Sequence, residues 1–350
     1  MRALLTRNDD AVSPVFLQSR FWADFKSLAA WGYARYDVRL DGSDSAPFAL
    51  SVLVRSLGLG LSFAYVPHGP DVAVAESDRG SLLVTLAESL HADLPGSCAF
   101  IRFDPAWYEP ETLDSSARPY RPGFGAPLRK ASDVQPPDSV ALAIDRSDDE
   151  LLAGMKPKWR YNVKLADKKG VTVASEGASG LPDFYALYET TAERDKIAIH
   201  PRSYYQRLFS LEPTNPAEPR PDLRLWMARY EGRALAAIIT VFYRGEATYL
   251  YGASSDEHRN LMPAYALQWA AIRAAREAGC VSYDFYGIPP VDDPDHPMSG
   301  LYRFKTGFGG QVRHYAGAWD YVLRPFAYHG WRLAEQLRLF WHKSVRKRLG

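Results

Sequence analysis

One order of predicted secondary structure occurs twice along the chain, and this repetition limits the possible folds more than any other feature. In each half, hydrophobic periodicity and turn residues predict a helix, a hairpin, a further strand, another helix and a last strand. In the first half these elements lie at 21–30, 33–40, 49–54, 62–66, 81–91 and 99–103. In the second half they lie at 183–194 with 202–209, then 223–230, 234–243, 247–253, 263–278 and 281–285. A duplicated α/β unit is therefore predicted.

Length and composition set the remaining limits. A chain of 350 residues favours two domains, which we expect at 1–150, joined by the C-terminal segment 318–350, and at 151–317. The net charge is +1, so an anion-binding site must be local. Two cysteines, Cys98 and Cys280, are too few for a disulfide framework and fit a reducing cytoplasm. We expect neither a signal peptide nor a membrane span, and residues 105–139, rich in Pro, Gly and Ser, are predicted as loop.

Two segments concentrate positive charge. Residues 155–170 carry six Lys or Arg against Asp167 and are predicted as a helix that starts near Pro157 and stops at Gly170. This helix presents either a solvated linking surface or a contact for a nucleic-acid backbone. The C-terminal stretch 331–350 carries six Lys or Arg against one Glu, with Trp331, Leu337, Phe340 and Trp341 among them. It is either an amphipathic helix docked on the body or one that contacts anionic lipid or tRNA.

Four sequence blocks carry a resemblance to a known family. They read KPKWRYNVKLADKKGV at 156–171, YGASSDEHRNLMPAYALQWAAIRAAREAGC at 251–280, YDFYGIP at 283–289 and GLYRFKTGFGG at 300–310. In this order and spacing the blocks resemble the FemABX peptidyltransferases, and the similarity continues more weakly at 18–32 and 100–105.

This resemblance, together with an element order similar to the GNAT acyltransferase superfamily, implies an α/β (α+β) fold. We expect two tandem GNAT-like domains with mixed sheets flanked by helices. About 40 residues separate the helix at 183 from the strand at 223, too few for the long helical hairpin of FemA-type members, so the chain is more similar to the compact FemX type. The family implies a cytoplasmic enzyme with an aminoacyl-tRNA donor, a peptidoglycan-precursor acceptor (UDP-MurNAc-pentapeptide or lipid II), no metal and no CoA.

The implied reaction is the attack of a stem-peptide amine on an aminoacyl ester, which needs alignment and a positive charge beside the developing oxyanion. By resemblance Lys305 matches the lysine of the family's FKxGF block, and Phe304 matches the aromatic residue beside it. With a reference pKa near 10.4, the Lys305 ammonium is expected to be charged at neutral pH. Asp104 resembles a carboxylate that orients or deprotonates the amine, although a strand-end Asp that caps a turn fits the sequence equally well.

The acceptor carries a diphosphate, which calls for Lys or Arg donors. Lys26 and Arg202 lie where FemX-type enzymes have a phosphate-binding pair, and together they imply an acceptor that crosses the domain cleft. Tyr205 and Tyr251 are candidate hydrogen-bond donors to the same ligand, with a core or rim role as the alternative. The sequence leaves open whether Gly, Ala or Ser is transferred and whether the acceptor is soluble or lipid-linked.

Two other functions compete with this interpretation. An acetyl-CoA-dependent acyltransferase needs a Gly-rich turn whose N–H groups hold pyrophosphate, but here Met262 replaces the first glycine and Pro263 has no N–H. A non-catalytic RNA- or lipid-binding module would use the two basic segments, with a possible peripheral contact to the inner face of the membrane. The acidic loop at 292–296 is interpreted as a solvated loop rather than a metal site.

Overall fold

The protein is described by a computed structural model that covers residues 2–41, 46–109 and 121–344, with side chains described as far as Glu335. Part of the predicted turn at 41–43, part of the predicted loop at 105–139 and the last residues of the basic segment 331–350 therefore lie outside the described residues. Two mixed sheets flanked by helices make up the described chain.

Seven described strands form the first sheet. They are β1 (Arg2–Arg7), β2 (Gly32–Asp41), β3 (Phe48–Gly58), β4 (Leu61–Pro67), β5 (Cys98–Asp104), β6 (Leu128–Lys130) and β14 (Trp319–Val322). Their order in the sheet is β1-β2-β3-β4-β5-β14-β6. All neighbours pair antiparallel except β4 and β5, which run parallel and are connected by helix α2 (Glu76–His91). A parallel pair requires a crossover of this kind.

The second sheet repeats this arrangement. Its described strands are β7 (Asp138–Ala143), β8 (Thr172–Ser175), β9 (Asp222–Tyr230), β10 (Arg233–Tyr243), β11 (Glu246–Ser254), β12 (Ser282–Asp284) and β13 (Gln311–His314). Their order is β13-β7-β12-β11-β10-β9-β8. The parallel pair here is β11 with β12, and the connection between them contains a helix, as in the first half.

The other helices begin where local sequence favours a start. They are α1 (Arg20–Ser27), α3 (Asp148–Gly154), α4 (Pro157–Lys168), α5 (Leu181–Asp195), α6 (Arg202–Ser210), α7 (Pro263–Glu277), α8 (Ser299–Thr306) and α9 (Pro325–Ser344). The Ser19 side chain accepts the N–H of Trp22 at the start of α1, and Ser147 forms a capping box with Glu150 at the start of α3. Proline opens α4 and α7, where its fixed φ costs nothing.

Among the described residues, three hydrophobic cores hold these layers together. Helix α2 covers one face of the first sheet through Leu82, Leu83 and Leu86, and α4, α7 and α8 cover one face of the second sheet. The third core lies between the two sheets and contains Phe100 from the first and Ile239 from the second. Helices α1, α5, α6 and α9 contribute to this middle core, so their side chains are fixed between the sheets.

A buried ion pair also fastens the loop before β9 to the first half of the chain. Glu218 accepts the N–H groups of Arg20 (2.6 Å) and Phe21 (3.3 Å) at the start of α1, and its other oxygen lies 3.5 Å from the Arg35 guanidinium. The side chains of Glu218 and Arg35 are 3% and 1% exposed. Because a helix N-terminus favours a negative charge, Glu218 stabilises the position of α1.

The predicted order of elements is confirmed in both halves, and so is the predicted fold class. The sequence analysis missed short strands, among them β1, β7 and β13, and it treated the segment that contains β6 as loop. Strand β7 lies in the second sheet although it precedes residue 150, and β14 lies in the first sheet. Where the two domains divide stays a prediction.

Two further findings concern expectations from the sequence. No described helix is both long enough and apolar enough to cross a bilayer. In the acidic loop, Asp292 accepts a hydrogen bond from Arg303 and Asp293 accepts the N–H of Asp295. Within the described ranges, no three His, Cys, Asp or Glu side chains cluster in a way that would hold a metal ion.

Candidate active site

Lys305 is buried in the last turn of α8. Lys305 is 5% exposed, and its Nζ donates to the backbone carbonyls of Tyr286 (3.2 Å) and Gly287 (2.8 Å). Burial lowers the pKa of Lys305 to about 7, although nearby Asp284 acts in the opposite direction. The expectation of a fully charged ammonium at neutral pH is therefore wrong for the free protein, because both protonation states are populated near pH 7.

Helix α8 is held in place by α4. The Trp159 indole Nε1 donates to the carbonyl of Phe304 (2.7 Å), and the N–H of Lys156 donates to the carbonyl of Gly307 (2.9 Å). A Cβ at Gly307 would lie 2.1 Å from the Trp159 ring, so this close approach requires glycine. The Phe304 ring packs against Tyr265 of α7 at 5.2 Å, whereas the Lys305 amine reaches the segment after β12. A direct role for Phe304 stays a prediction.

Tyr286 connects Lys305 to its surroundings and was missed by the sequence analysis. It has a φ of +61°, which is uncommon for a bulky residue and typical of functional sites. Its N–H donates to Asp284 (2.7 Å), its carbonyl accepts from Lys305, and its hydroxyl donates to Gln135. Asp284 also accepts from the Ser139 hydroxyl. The block YDFYGIP contains Tyr286, but a left-handed backbone cannot be read from that pattern.

Asp104 lies at the end of β5 and is 3% exposed. The Tyr65 hydroxyl (3.0 Å) and the N–H of Gln135 (2.9 Å) both donate to Oδ2, and the described residues place no hydrogen bond on Oδ1. Burial raises the pKa of Asp104 to about 6, against the opposing effect of these two hydrogen bonds. A carboxylate with one free oxygen and this pKa can accept a proton at neutral pH.

Gln135 joins the two candidate catalytic groups. Its amide nitrogen donates to the Tyr65 hydroxyl (3.1 Å), and its amide oxygen accepts from the Tyr286 hydroxyl. The charge of Asp104 also contributes to the raised pKa of Tyr286. The structure thus brings Asp104 of the first sheet and Lys305 of the second half into one hydrogen-bonded network.

Lys26 lies in an aromatic and cationic corner. Its Nζ is 4.7 Å from the Trp22 ring centroid, 5.8 Å from that of Trp31 and 5.8 Å from that of Tyr204. Burial, with a further contribution from Arg55, lowers the pKa of Lys26 to about 8. Arg55 lies 5.2 Å from the same Trp31 ring. Neither cation forms an ion pair with a carboxylate in the part of the chain that the structure describes. We call the surface formed by Lys26, Arg55 and the rings of Trp22, Trp31 and Tyr204 the anion corner, and anion binding there stays a prediction.

His200 adds a third nitrogen base to this corner. Its ring stacks on Tyr204 with 4.0 Å between centroids, and burial together with Lys26 lowers its pKa. The Tyr204 hydroxyl lies 3.1 Å from that of Tyr251. Tyr251 is therefore hydrogen-bonded to Tyr204 beside Lys26, and its role as a ligand donor stays a prediction.

Arg202 and Tyr205 are placed differently from Lys26. Arg202 is the first residue of α6 and is exposed, and no described contact joins it to Lys26. Tyr205 is 1% exposed and packs against Phe184 and Tyr251 in the middle core. The Tyr205 ring also contacts the rings of His200 (6.5 Å) and Tyr204 (5.3 Å), so it borders the anion corner from inside the core, whereas no described contact joins Arg202 to that corner. The roles of both residues in binding stay predictions.

Two rows of side chains connect the anion corner with the network around Lys305. The first-half row is Lys26, Trp31, Tyr65 and Asp104, with 6.4 Å between the Trp31 and Tyr65 rings. The second-half row is Lys26, Tyr204, Tyr251, Tyr286 and Lys305, in which Tyr286 is close enough to influence the pKa of Tyr251. The two rows therefore join the corner around Lys26 to the network around Lys305 through side-chain contacts.

The turn before α7 is closed by its own hydrogen bonds. Leu261 N–H donates to His258 (2.9 Å), and Met262 N–H donates to Arg259 (3.1 Å). Pro263, the next residue, has no N–H to offer. A pyrophosphate at this turn would therefore find the N–H groups of Leu261 and Met262 occupied and none at Pro263.

Comparison with known proteins shows the family of this chain. The FemAB family model matches residues 123–211 and 227–336, which together are more than half of the chain. The chain belongs to the FemAB family. Members similar to it include the lipid II:glycine glycyltransferase of Staphylococcus saprophyticus, 26% identical over 373 residues with 89% of each chain covered. That of Staphylococcus aureus is 25% identical over 388 residues, covering 92% of this chain and 90% of the relative.

Solved structures give the same fold for this FemAB member. The crystal structure of FemX covers 94% of this chain and 99% of its own, with a TM-score of 0.73 and 22% identity. A tandem GNAT protein from the clavulanic acid pathway covers 91% and 98%, with a TM-score of 0.50 and 14% identity. The predicted resemblance to FemABX proteins and the predicted GNAT-like fold are confirmed.

Proposed function

We propose that the protein is a FemX-type aminoacyltransferase, which moves an amino acid from aminoacyl-tRNA to the stem-peptide amine of a peptidoglycan precursor. The names of its relatives make glycine the first candidate for the amino acid and lipid II the first candidate for the acceptor. Alanine and serine, and UDP-MurNAc-pentapeptide as acceptor, are the alternatives to test. One observation supports this proposal most: a free carboxylate oxygen and a buried lysine lie in one network beside an anion corner.

The reaction forms one bond and breaks one. The amine of the third stem-peptide residue attacks the ester carbonyl carbon, and the carbon–oxygen bond to the tRNA breaks to leave an amide. The attacking nitrogen gives up a proton, and the departing ribose oxygen takes one. Asp104 Oδ1 is the group proposed to accept the proton from the amine, because Oδ2 is already occupied.

Lys305 is proposed to stabilise the oxyanion. It can do so only when it is protonated, because the number of its N–H donors depends on its charge. An ammonium has three donors and a neutral amine has two. Two donors are occupied by the carbonyls of Tyr286 and Gly287. Only protonated Lys305 therefore has a donor left for the oxyanion, and it also supplies the compensating charge.

The acceptor is proposed to place its diphosphate at Lys26, with Arg55 and His200 beside it. Cations without a carboxylate partner can bind a phosphate. Burial lowers the pKa of Lys26 and of His200, and a bound phosphate would raise both values again and so favour the protonated forms. Arg202 is proposed as a further ligand of the diphosphate, and its side chain would have to move toward Lys26 when the acceptor binds. The row from Lys26 to Asp104 would then guide the stem peptide to the carboxylate.

The tRNA is proposed to approach the outer face of α4. Val163 and Ala166 are buried, whereas Lys158, Lys164 and Tyr161 are exposed, and Tyr161 is 62% exposed. Lysines contact phosphates, and an exposed aromatic ring can stack on a base or sugar. Because α4 is fastened to α8, RNA bound there would lie next to the helix that carries Lys305.

A transfer assay tests this function. Purified protein is incubated with radiolabelled glycyl-, alanyl- or seryl-tRNA and with lipid II or UDP-MurNAc-pentapeptide, and label in the acceptor is measured. We expect RNase-sensitive labelling of at least one acceptor and none with acetyl-CoA as donor. Labelling from acetyl-CoA, without any from the three aminoacyl-tRNAs, would favour the acetyltransferase alternative.

A further inference from the structure

Two large apolar side chains are almost fully exposed in the first half of the fold. Leu59, at the tip of the β3–β4 hairpin, is 103% exposed, and Phe326, in the first turn of α9, is 96% exposed. Leu59 also has a φ of +52°, a conformation that leucine rarely adopts. Single exposed apolar residues are ordinary, but a shared position on one surface indicates an interaction site.

Strand pairing places both residues at the same end of the first sheet. Ser62 at the start of β4 pairs with Cys98 at the start of β5, and the end of β14 pairs antiparallel with Phe100. The N–H groups of Leu323 and Arg324 both donate to the carbonyl of Ala99 (3.0 and 2.9 Å). The hairpin tip and the start of α9 therefore lie at the same end of the first sheet, with β5 between β4 and β14. We call this surface the apolar end, defined by Leu59, Phe326 and Leu333.

Helix α9 is docked by one face and free on the other. Tyr328 and Trp331 pack on Phe100 at 5.3 and 4.8 Å. Phe326 and Leu333 are seven residues apart, which places them on the opposite face, and Leu333 is 58% exposed. The sequence continues this spacing at 337 and 340 with Leu and Phe, beyond the described side chains.

Two exposed arginines lie at the apolar end. Arg324 directly precedes α9, and Arg55 lies near the end of β3, next to the hairpin tip. Both are exposed, and neither forms an ion pair with a carboxylate within the described ranges. Apolar side chains bordered by arginines fit the interface of a bilayer that contains anionic lipids.

The anion corner opens at this same end. Trp31, which Lys26 and Arg55 flank, is 5.9 Å from Phe63, and Phe63 stacks on Phe100 at 5.2 Å beneath α9. A diphosphate at Lys26 would thus lie close to whatever the apolar end binds. Asp104 lies four residues along β5 from Phe100, about 13 Å further from this end.

We propose that the apolar end docks on an anionic membrane surface and thereby presents a lipid-linked acceptor, with its diphosphate at Lys26 and its peptide directed toward Asp104. The choice of acceptor rests on the proposed function, whereas membrane docking stands on the exposed surface alone. A soluble nucleotide-linked acceptor would need the anion corner but not Leu59 or Phe326.

Vesicle binding tests the docking step without any need for transfer activity. Three proteins are sedimented with vesicles: the full chain, the double variant L59S/F326S and the control V281S. Val281 is an exposed valine (58%) that directly precedes β12 of the second sheet. The vesicles contain phosphatidylcholine alone or with phosphatidylglycerol. We expect wild type and V281S to bind the anionic vesicles. The double variant should bind them at least about tenfold more weakly, while both variants keep the melting temperature of wild type. Absent wild-type binding, or equal binding by the double variant, would overturn docking.

Transfer assays test the link to the acceptor. The double variant is expected to lose most transfer to lipid II embedded in vesicles and to retain transfer to UDP-MurNAc-pentapeptide. An equal loss with both acceptors would overturn the proposal. Two other results would overturn the proposal. If the double variant no longer binds RNA in a gel shift, the surface binds RNA. If wild type forms a dimer in sedimentation velocity and the double variant does not, the surface binds a second copy of the chain. If no substrate is turned over, the proposed function fails, while vesicle binding still decides whether the apolar end docks.

Discussion

Replacing Lys305 by methionine should change how the stability of the protein depends on pH. The folded-state pKa of Lys305 is about 7, below its reference value of 10.5, so between these pH values the unfolded chain holds a proton that the folded chain does not. The free energy of unfolding of wild type therefore rises with pH in this range. Each unit of pKa difference corresponds to about 1.36 kcal/mol, and the full destabilisation of about 5 kcal/mol is present below pH 7.

The difference in unfolding free energy between wild type and K305M isolates this contribution. From pH 6 to pH 9 the unfolding free energy of wild type should increase by about 2–3 kcal/mol relative to that of K305M. The reason is that Lys305 loses its proton in the folded chain over this range but keeps it in the unfolded chain. Urea denaturation at several pH values measures it, with K164M, which removes an exposed lysine, as the control. A difference that stays constant between pH 6 and pH 9 would refute the reasoning about Lys305.

Three further predictions concern other parts of the site and the fold. D104N should lower kcat by about 100-fold or more with little change in the KM of the acceptor, as initial rates with each substrate varied would show. K26M should raise the KM of the acceptor. As the pH increases beyond 8, Lys26 loses its proton, so the KM of wild type should increase while the KM of K26M should stay constant. E218Q should destabilise the fold by about 3–5 kcal/mol, because Arg35 keeps a buried charge without its partner, whereas E212Q in the same loop should change urea unfolding by less than about 0.5 kcal/mol.

Long, strongly periodic elements could be predicted from the sequence, and short ones could not. The α7 helix has Pro263 at its start and an apolar stripe, so its pattern is unambiguous. Strand β7 has only six residues and begins with Asp138 and Ser139, whose burial depends on partners elsewhere in the fold. Its pairing with β12 and β13 is a tertiary effect that local sequence does not encode.

The candidate site divides in the same way. Lys305 and Asp104 were identified through family blocks, and the structure places them in one network. The pKa of Lys305 was predicted wrongly because the reference value assumes an exposed lysine, whereas desolvation is set by packing around α8.

Gln135 and Tyr286 were missed for a related reason. Gln135 lies in a segment that composition marked only as loop, and Tyr286 acts through a left-handed backbone and its carbonyl. Arg55 comes from a strand whose register decides that it meets Trp31. These contacts depend on the folded chain, so residue type alone gave no signal for them.

The pH dependence of transfer in wild type relative to K305R tests the central role of Lys305 most directly. Arginine keeps its charge over the accessible range, and taking the ratio of the two kcat/KM values cancels the ionisation of the acceptor amine. If only the protonated lysine serves the oxyanion, the ratio should fall by about tenfold per pH unit above pH 7. A measurable K305R activity with a ratio that is flat from pH 6 to pH 8.5 would contradict the account.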